Sequence, residues 1–265
     1  MQNLKNKRLF LLDMDGTIYL DNELFDGTID FLDYVKEIGG RYIFLTNNSS
    51  KGVDKYIEKM ASLGIKTTKE DFLTSTDATI FYLKEKNYKK IYAFGTASFV
   101  GQLKDSGLCV VTELCDDIDC LCISNDTELT FKKLEDACIL LGRGVDYIAT
   151  NPDWVCPTSY GFVPDCGAFA QMLHHATKRN PVFIGKPEPQ MAYLAMEKTG
   201  YTKEETVVFG DRLYTDVACG INAGISSAFM LSGEGTLDDI ETMNIKPEYI
   251  FKNIKEVYTY LAETE

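Results

Sequence analysis

The stretch Leu9-Phe10-Leu11-Leu12-Asp13-Met14-Asp15-Gly16-Thr17 sets four apolar residues directly before two carboxylates and a glycine. An apolar run this short, bounded by polar residues, predicts a strand buried within a parallel sheet. In open α/β sheets ligands bind beyond the carboxyl ends of such strands, which is where this one releases Asp13 and Asp15. Like charges a few ångströms apart oppose each other's ionisation, so two acids at that place point to a cation that holds them. Gly16 lets the backbone turn sharply after them. Taken alone, the stretch also reads as an acidic β-turn without chemistry, and the rest of the chain decides between the two.

The same design returns three times. Arg41-Tyr42-Ile43-Phe44-Leu45 predicts a strand that delivers Thr46-Asn47-Asn48-Ser49-Ser50. Val182-Phe183-Ile184 leads to Gly185-Lys186-Pro187, and Thr206-Val207-Val208-Phe209 leads to Gly210-Asp211-Arg212-Leu213-Tyr214-Thr215-Asp216. Between the first two strands, Phe31, Leu32, Tyr34, Val35 and Ile38 carry helical spacing that stops at Gly39-Gly40. Val53, Tyr56, Ile57, Met60 and Leu63 mark the next helix, with Ser49 or Ser50 as its N-cap. Capping and anion binding are compatible uses of Thr46 to Ser50, because free N–H groups at a helix start attract phosphate. Pro187 suits the first turn of a helix running to Gly200, which would set Lys186 at that helix's positive end.

From about residue 79 to 178 the patterns alternate again. Ile91–Gly95, Cys109–Thr112, Cys120–Ile123 and Tyr147–Thr150 read as strands, and Phe131, Leu134, Ala137, Cys138 and Leu141 as a helix face. A hundred residues suffice for a second α/β domain. Near its end, Asn151-Pro152-Asp153-Trp154 through Pro164-Asp165-Cys166-Gly167 is dense in Pro, Gly and Asn and reads as a recognition loop. Trp154, the only tryptophan, reads first as a packing residue and second as a substrate platform. Tyr249–Phe251 and a helix face at Ile254, Val257, Tyr258 and Leu261 close the chain.

Composition narrows the function. The chain has 265 residues, 45% hydrophobic and 25% charged, as in a soluble globular protein with a substantial core. A formal net charge of −13 argues against nucleic-acid binding, and no apolar run reaches membrane-spanning length. Asp13 cuts the run after Lys5, Lys7 and Arg8 too short for a signal peptide, so a cytoplasmic protein is expected. The eight cysteines form no Cys-x-x-Cys pair and the only histidines are His174 and His175, so free thiols are expected rather than zinc or disulfides. The histidine pair reads as surface or packing.

Four strand ends thus carry, in order, Asp-x-Asp-Gly-Thr, Thr-Asn-Asn, Gly-Lys-Pro and Gly-Asp-x-x-x-Thr-Asp. In this the sequence resembles the haloacid dehalogenase-like hydrolase superfamily, and the insertion between the second and third motifs resembles the cap of its NagD-like, 4-nitrophenylphosphatase branch. The resemblance implies an α/β protein with a Rossmann-like parallel-sheet core from residues 1–78 and 179–265. A smaller inserted α/β cap domain would occupy residues 79–178. It implies a phosphatase acting on small phosphorylated metabolites such as sugar phosphates or nucleotides, and on 4-nitrophenyl phosphate as an artificial substrate. Asp13 would be the nucleophile that forms an aspartyl-phosphate and Asp15 the general acid and base. Thr46, Asn47 and Lys186 would hold phosphate oxygens. Mg²⁺ would be bound by Asp13, the main-chain carbonyl of Asp15 and Asp211, with Asp216 as a ligand or an outer partner. Related caps also imply a homodimer.

The match loosens in the cap, where Asp165 stands at a position usually held by glycine and Ser124-Asn125-Asp126 replaces a Gly-hydrophobic-Asp pattern. Asn151, Asp153, Trp154 and Asp165 are the cap's candidate substrate contacts. A phosphotransferase or mutase would use the same aspartyl-phosphate with a hydroxyl in place of water, and a metabolite-binding regulator would keep the site without turnover. A glycosyltransferase using Asp-x-Asp leaves Lys186 and Asp211 without a role.

Overall fold

A computed structural model describes residues 3–158 and 161–263. The chain falls into two compact units, Met1–Thr46 with Val53–Leu73 and Lys186–Glu265, and Asn47–Gly52 with Thr74–Gly185. Among the described residues no helix is long and apolar enough to cross a membrane.

In chain order, β1 (Leu9–Leu12) precedes a small antiparallel hairpin of β2 (Tyr19–Leu20) and β3 (Glu23–Leu24). Helix α1 (Thr28–Glu37), β4 (Arg41–Thr46), α2 (Val53–Ser62) and β5 (Phe72–Thr74) follow. The next elements are α3 (Ser75–Lys86), β6 (Ile91–Phe94), α4 (Ala97–Asp105), β7 (Val110–Val111), β8 (Cys120–Ile123), α5 (Phe131–Arg143) and β9 (Asp146–Ala149). A hairpin of β10 (Val155–Thr158) and β11 (Gly161–Pro164) leads to α6 (Cys166–Thr177) and β12 (Val182–Phe183). Then come α7 (Gln190–Thr199), β13 (Thr206–Gly210), a π-helical turn at Leu213–Val217, α8 (Ala218–Ala223), β14 (Ser226–Met230), α9 (Leu237–Met243), β15 (Tyr249–Phe251) and α10 (Ile254–Ala262).

The first unit holds a six-stranded sheet in the order β15-β14-β13-β1-β4-β5. β1 is fully buried and lies parallel between β13 and β4, with Leu12 beside Phe209 on one flank and Phe44 on the other. Every side chain of such a strand faces protein, which is why it reads as an unbroken apolar run. Phe10, Phe31 of α1 and Phe209 pack with ring centroids 5.6 to 6.1 Å apart. The strand order moves outward from β1 in one direction and from β13 in the other. The reversal therefore lies between these two strands, and beyond their carboxyl ends α/β sheets bind ligands.

The second unit holds a parallel five-stranded sheet in the order β12-β9-β8-β6-β7. Tyr92, Phe94, Leu121, Ile123, Leu140 and Phe169 build its core against α5 and α6. The position 78/79 lies inside α3, where Thr74 and Asp77 form a reciprocal capping box that joins β5 directly to the helix. Four of the eight cysteines, Cys120, Cys122, Cys166 and Cys219, are buried.

Several local expectations are corrected. α2 begins at Val53, so neither Ser49 nor Ser50 is its N-cap; Ser49 is buried with its hydroxyl 2.9 Å from that of Thr150. α7 starts only at Gln190 with Pro189 as its N-cap, so Pro187 is not in its first turn and Lys186 lies four residues before the helix. Within the stretch 150–167, Val155–Thr158 and Gly161–Pro164 pair as antiparallel strands, where a loop is expected; Pro164 is tolerated because each strand of a two-stranded ribbon is an edge. Trp154 is 63% exposed, so it does not pack into a core.

Candidate active site

Asp13 leaves the end of β1 with its N–H donated to the Phe209 carbonyl, 2.9 Å away, which fixes the residue beside the end of β13. Asp211 and Asp216 enter from just past that strand. Asp216 sits in the π-helical turn and accepts the Arg212 N–H at 3.1 Å. Gly210 has no alternative there: a Cβ on it would lie 2.1 Å from the Asp216 Cβ. Carboxylate oxygens of Asp13, Asp211 and Asp216 all lie within 4.8 Å of one another. Lys186 enters the same cluster, its Nζ 2.5 Å from Asp13 Oδ1 and 2.6 Å from Asp216 Oδ1.

Asp15 is not one of the three converging acids. It keeps an exposed edge and accepts a 3.3 Å hydrogen bond from the Tyr19 hydroxyl. Gly16 adopts φ +81°, and a Cβ on it would meet Asp211 Oδ2 at 2.4 Å, so the turn needs glycine for both conformation and space. Thr46 ends β4 and is buried, and Asn47 is the first residue of the second unit.

Electrostatics follow from this crowding. Burial drives the Asp13 carboxyl well above the usual carboxylate range; Lys186 pulls it back, and Asp216 and Asp211 add to the rise. Burial, then Asp216, pushes Asp211 up to about 6 against a hydrogen bond from the Glu234 main chain. For Lys186 burial acts downward, but Asp13 and Asp216 overcome it and the net shift is upward. Desolvation also raises Asp15, with the Tyr19 hydroxyl opposing.

The donor set fits a hard divalent cation. Three carboxylates converge, and Oδ1 of the buried Asp211 has no hydrogen-bond partner among the described residues. A buried carboxylate oxygen left bare is costly unless a cation satisfies it.

The sequence missed the loop after β14. There the Glu234 N–H donates to Asp211 Oδ2 at 2.7 Å and the Ser232 hydroxyl to the Gly16 carbonyl at 2.7 Å. Arg212 and Tyr214 both reach the Glu234 carboxylate, at 2.8 and 3.1 Å. The run Ser232-Gly233-Glu234-Gly235 after an apolar strand is the signal that marks it.

In the second unit, Asp165 is buried and caps α6, accepting the Cys166 N–H. A Cβ on Gly167 would lie 2.1 Å from the Pro152 carbonyl oxygen, so glycine is required at 167 and not at 165. That accounts for the departure at Asp165. Asn151 is buried, Asp153 half-buried and Trp154 exposed.

Three carboxylates converging just past β1 and β13, where the strand order reverses, with a buried lysine paired to two of them, point to a class, hydrolases of α/β fold that act on phosphate and related groups. Residues 10–109 match the haloacid dehalogenase-like hydrolase family and residues 183–257 the HAD-hydrolase-like family. The chain belongs to the haloacid dehalogenase-like hydrolases, in the NagD-like branch. It is 33% identical over 263 residues to an acid sugar phosphatase of Staphylococcus aureus (strain MRSA252), covering 99% of this chain and 100% of that protein. It superposes on a 4-nitrophenylphosphatase from Thermotoga maritima with a TM-score of 0.91 at 39% identity, covering 97% of this chain and 98% of that one. The likeness to NagD from Escherichia coli K-12 has a TM-score of 0.87 at 29% identity, over 94% of this chain and 98% of that one.

Proposed function

We propose that this protein is a Mg²⁺-dependent phosphomonoesterase that hydrolyses small phosphate esters through an aspartyl-phosphate on Asp13. The observation that carries the reading is the Lys186 ammonium held between Asp13 and Asp216, beside an Asp211 oxygen with no partner among the described residues. The likeness to phosphatases along nearly the whole chain supports it.

Asp13 is the nucleophile. Its carboxylate forms the bond to phosphorus as the ester oxygen leaves, and Asp15 gives that oxygen a proton. The upward shift of Asp15 favours the protonated form this step needs. Water then attacks phosphorus, Asp15 takes its proton, and the Asp13–phosphate bond breaks to release inorganic phosphate. Lys186 favours the anionic form of Asp13 through their ion pair, against the burial that raises its pKa, and, with Thr46 and Asn47, holds non-reacting phosphate oxygens. Mg²⁺ would be held by Asp13, Asp211, the Asp15 carbonyl and Asp216, and when bound would neutralise the acid cluster and offset repulsion between two anions.

The core is assigned to the first unit and substrate choice to the inserted cap. There Trp154 and Asp153 supply accessible aromatic and acidic surface, and Asp165 supports them by capping α6. The test is phosphate release from a panel of sugar phosphates and nucleotides, with Mg²⁺ and with EDTA. Metal-dependent release supports the reading; tight metabolite binding without any release would overturn it in favour of a non-catalytic regulator.

A further inference from the structure

Asn151 stands where a substrate contact is expected, yet it is 0% exposed and its carboxamide is engaged within the protein at both ends. Its Nδ2 donates to the Asn47 carbonyl at 2.8 Å, and its Oδ1 accepts the Asp153 N–H at 3.0 Å. Asn47 in turn donates from Nδ2 to Asp153 Oδ1 at 3.3 Å, so the three residues close a ring of hydrogen bonds. The same Asn47 carbonyl receives the buried Ser75 hydroxyl at 2.6 Å, which fills its second lone pair. On the other side Gly185 leaves no slack: a Cβ there would lie 2.6 Å from Asn47 Oδ1 and 3.1 Å from the Asn151 Cβ.

We propose that Asn151 is a positioning residue for phosphate recognition, acting through Asn47 rather than touching the substrate. The inference rests on the reading of Asn47 as a phosphate ligand. The chemistry requires an amide at 151, because one end must donate to a carbonyl and the other must accept an N–H. Aspartate, of the same shape, can do only the second and would set a carboxylate against the Asn47 carbonyl. In a fully buried site no water compensates, so the loss falls on the placement of Asn47.

The experiment is a double-mutant cycle read by calorimetric titration of inorganic phosphate into the Mg²⁺-loaded protein. Asn47→Ala and Asn151→Asp are each expected to raise the phosphate Kd about tenfold, the loss of roughly one good hydrogen bond. Asn47→Ala keeps the carbonyl that Asn151 holds but removes the group being placed. Asn151→Asp should therefore weaken binding less than about twofold in that background. The same tenfold loss in both backgrounds would mean a general structural role and would overturn the proposal, as would no loss in either. An unchanged Kd for Asn47→Ala alone would instead remove the phosphate-ligand reading beneath it. Should Asn151→Asp fail to fold, Ser75→Ala loosens the same carbonyl and is expected to show the same dependence on Asn47; equal losses in both backgrounds would overturn the proposal.

Discussion

Lys186 Nζ lies 2.5 Å from Asp13 Oδ1, the lysine side chain only 3% exposed and the aspartate 18%. Its second partner, Asp216, is 1% exposed. Removing one member of such a set leaves buried charge without compensation, which costs about 3–5 kcal/mol. Lys186→Met is therefore expected to lower the melting temperature by several degrees or more and to cut kcat at least ~100-fold, through loss of both nucleophile ionisation and phosphate charge stabilisation. Thermal melts and steady-state kinetics check it, and wild-type turnover in Lys186→Met would remove the assigned role.

Asp211 makes the metal-free protein less stable as pH rises. Its folded pKa of about 6 lies above the ordinary aspartate value of 3.8, so between these values the native state holds more protons than the unfolded state and stability falls with increasing pH. The favourable contribution is complete below about pH 4 and lost above about 6. In EDTA at pH 7.5, Asp211→Asn should be more stable than wild type by on the order of 2 kcal/mol, with the gap closing towards pH 4. Urea unfolding of both proteins across that range measures it. In saturating Mg²⁺ the order should reverse, because the wild type keeps a ligand that the variant lacks.

Asp15 has separable tasks in the two steps. 4-Nitrophenolate leaves without much help from an acid, whereas the water of the second step still needs a base. Asp15→Asn should release close to one equivalent of nitrophenolate in a burst and then turn over roughly 10²–10⁴-fold more slowly than wild type. Stopped-flow absorbance reads both phases; slow release without a burst would place the defect in the first step.

Gly16→Ala places a methyl against Asp211 and forces a side chain into φ +81°. Both effects act together, so a destabilisation of at least ~1–2 kcal/mol is expected, with a weaker Mg²⁺-induced rise in melting temperature than wild type shows. Gly39→Ala, also at positive φ but with open space around it, should be milder and leave the metal response intact.

The acids of the site were legible because buried strands announce themselves. Leu9–Leu12 and Thr206–Gly210 are buried along their whole length, so the first carboxylates after each had to emerge at the sheet's edge. Lys186 was legible as a site residue and not in its surroundings: its partners are acids from segments 173 residues before it and 30 after, and no local pattern connects them. The loop Ser232–Gly235 escaped because it reaches Asp211 and Gly16 through a main-chain N–H and a small hydroxyl. The hairpin at Val155–Pro164 escaped because prolines and glycines interrupt the alternation that marks a strand. Ser49 resembled a helix cap, yet it is committed to Thr150 and to the N–H of Asn125 at 3.2 Å. Partners so remote in sequence leave no periodic trace.

Attack of Asp13 on a phosphate ester, supported by a divalent cation in the acid cluster, is the step on which the proposed function depends. The most direct measurement is 4-nitrophenol release from 4-nitrophenyl phosphate by wild type with Mg²⁺, by wild type with EDTA, and by Asp13→Asn with Mg²⁺. Turnover is expected only in the first. Turnover that survives EDTA, or that persists in a correctly folded Asp13→Asn protein, would contradict that role for Asp13 and its metal.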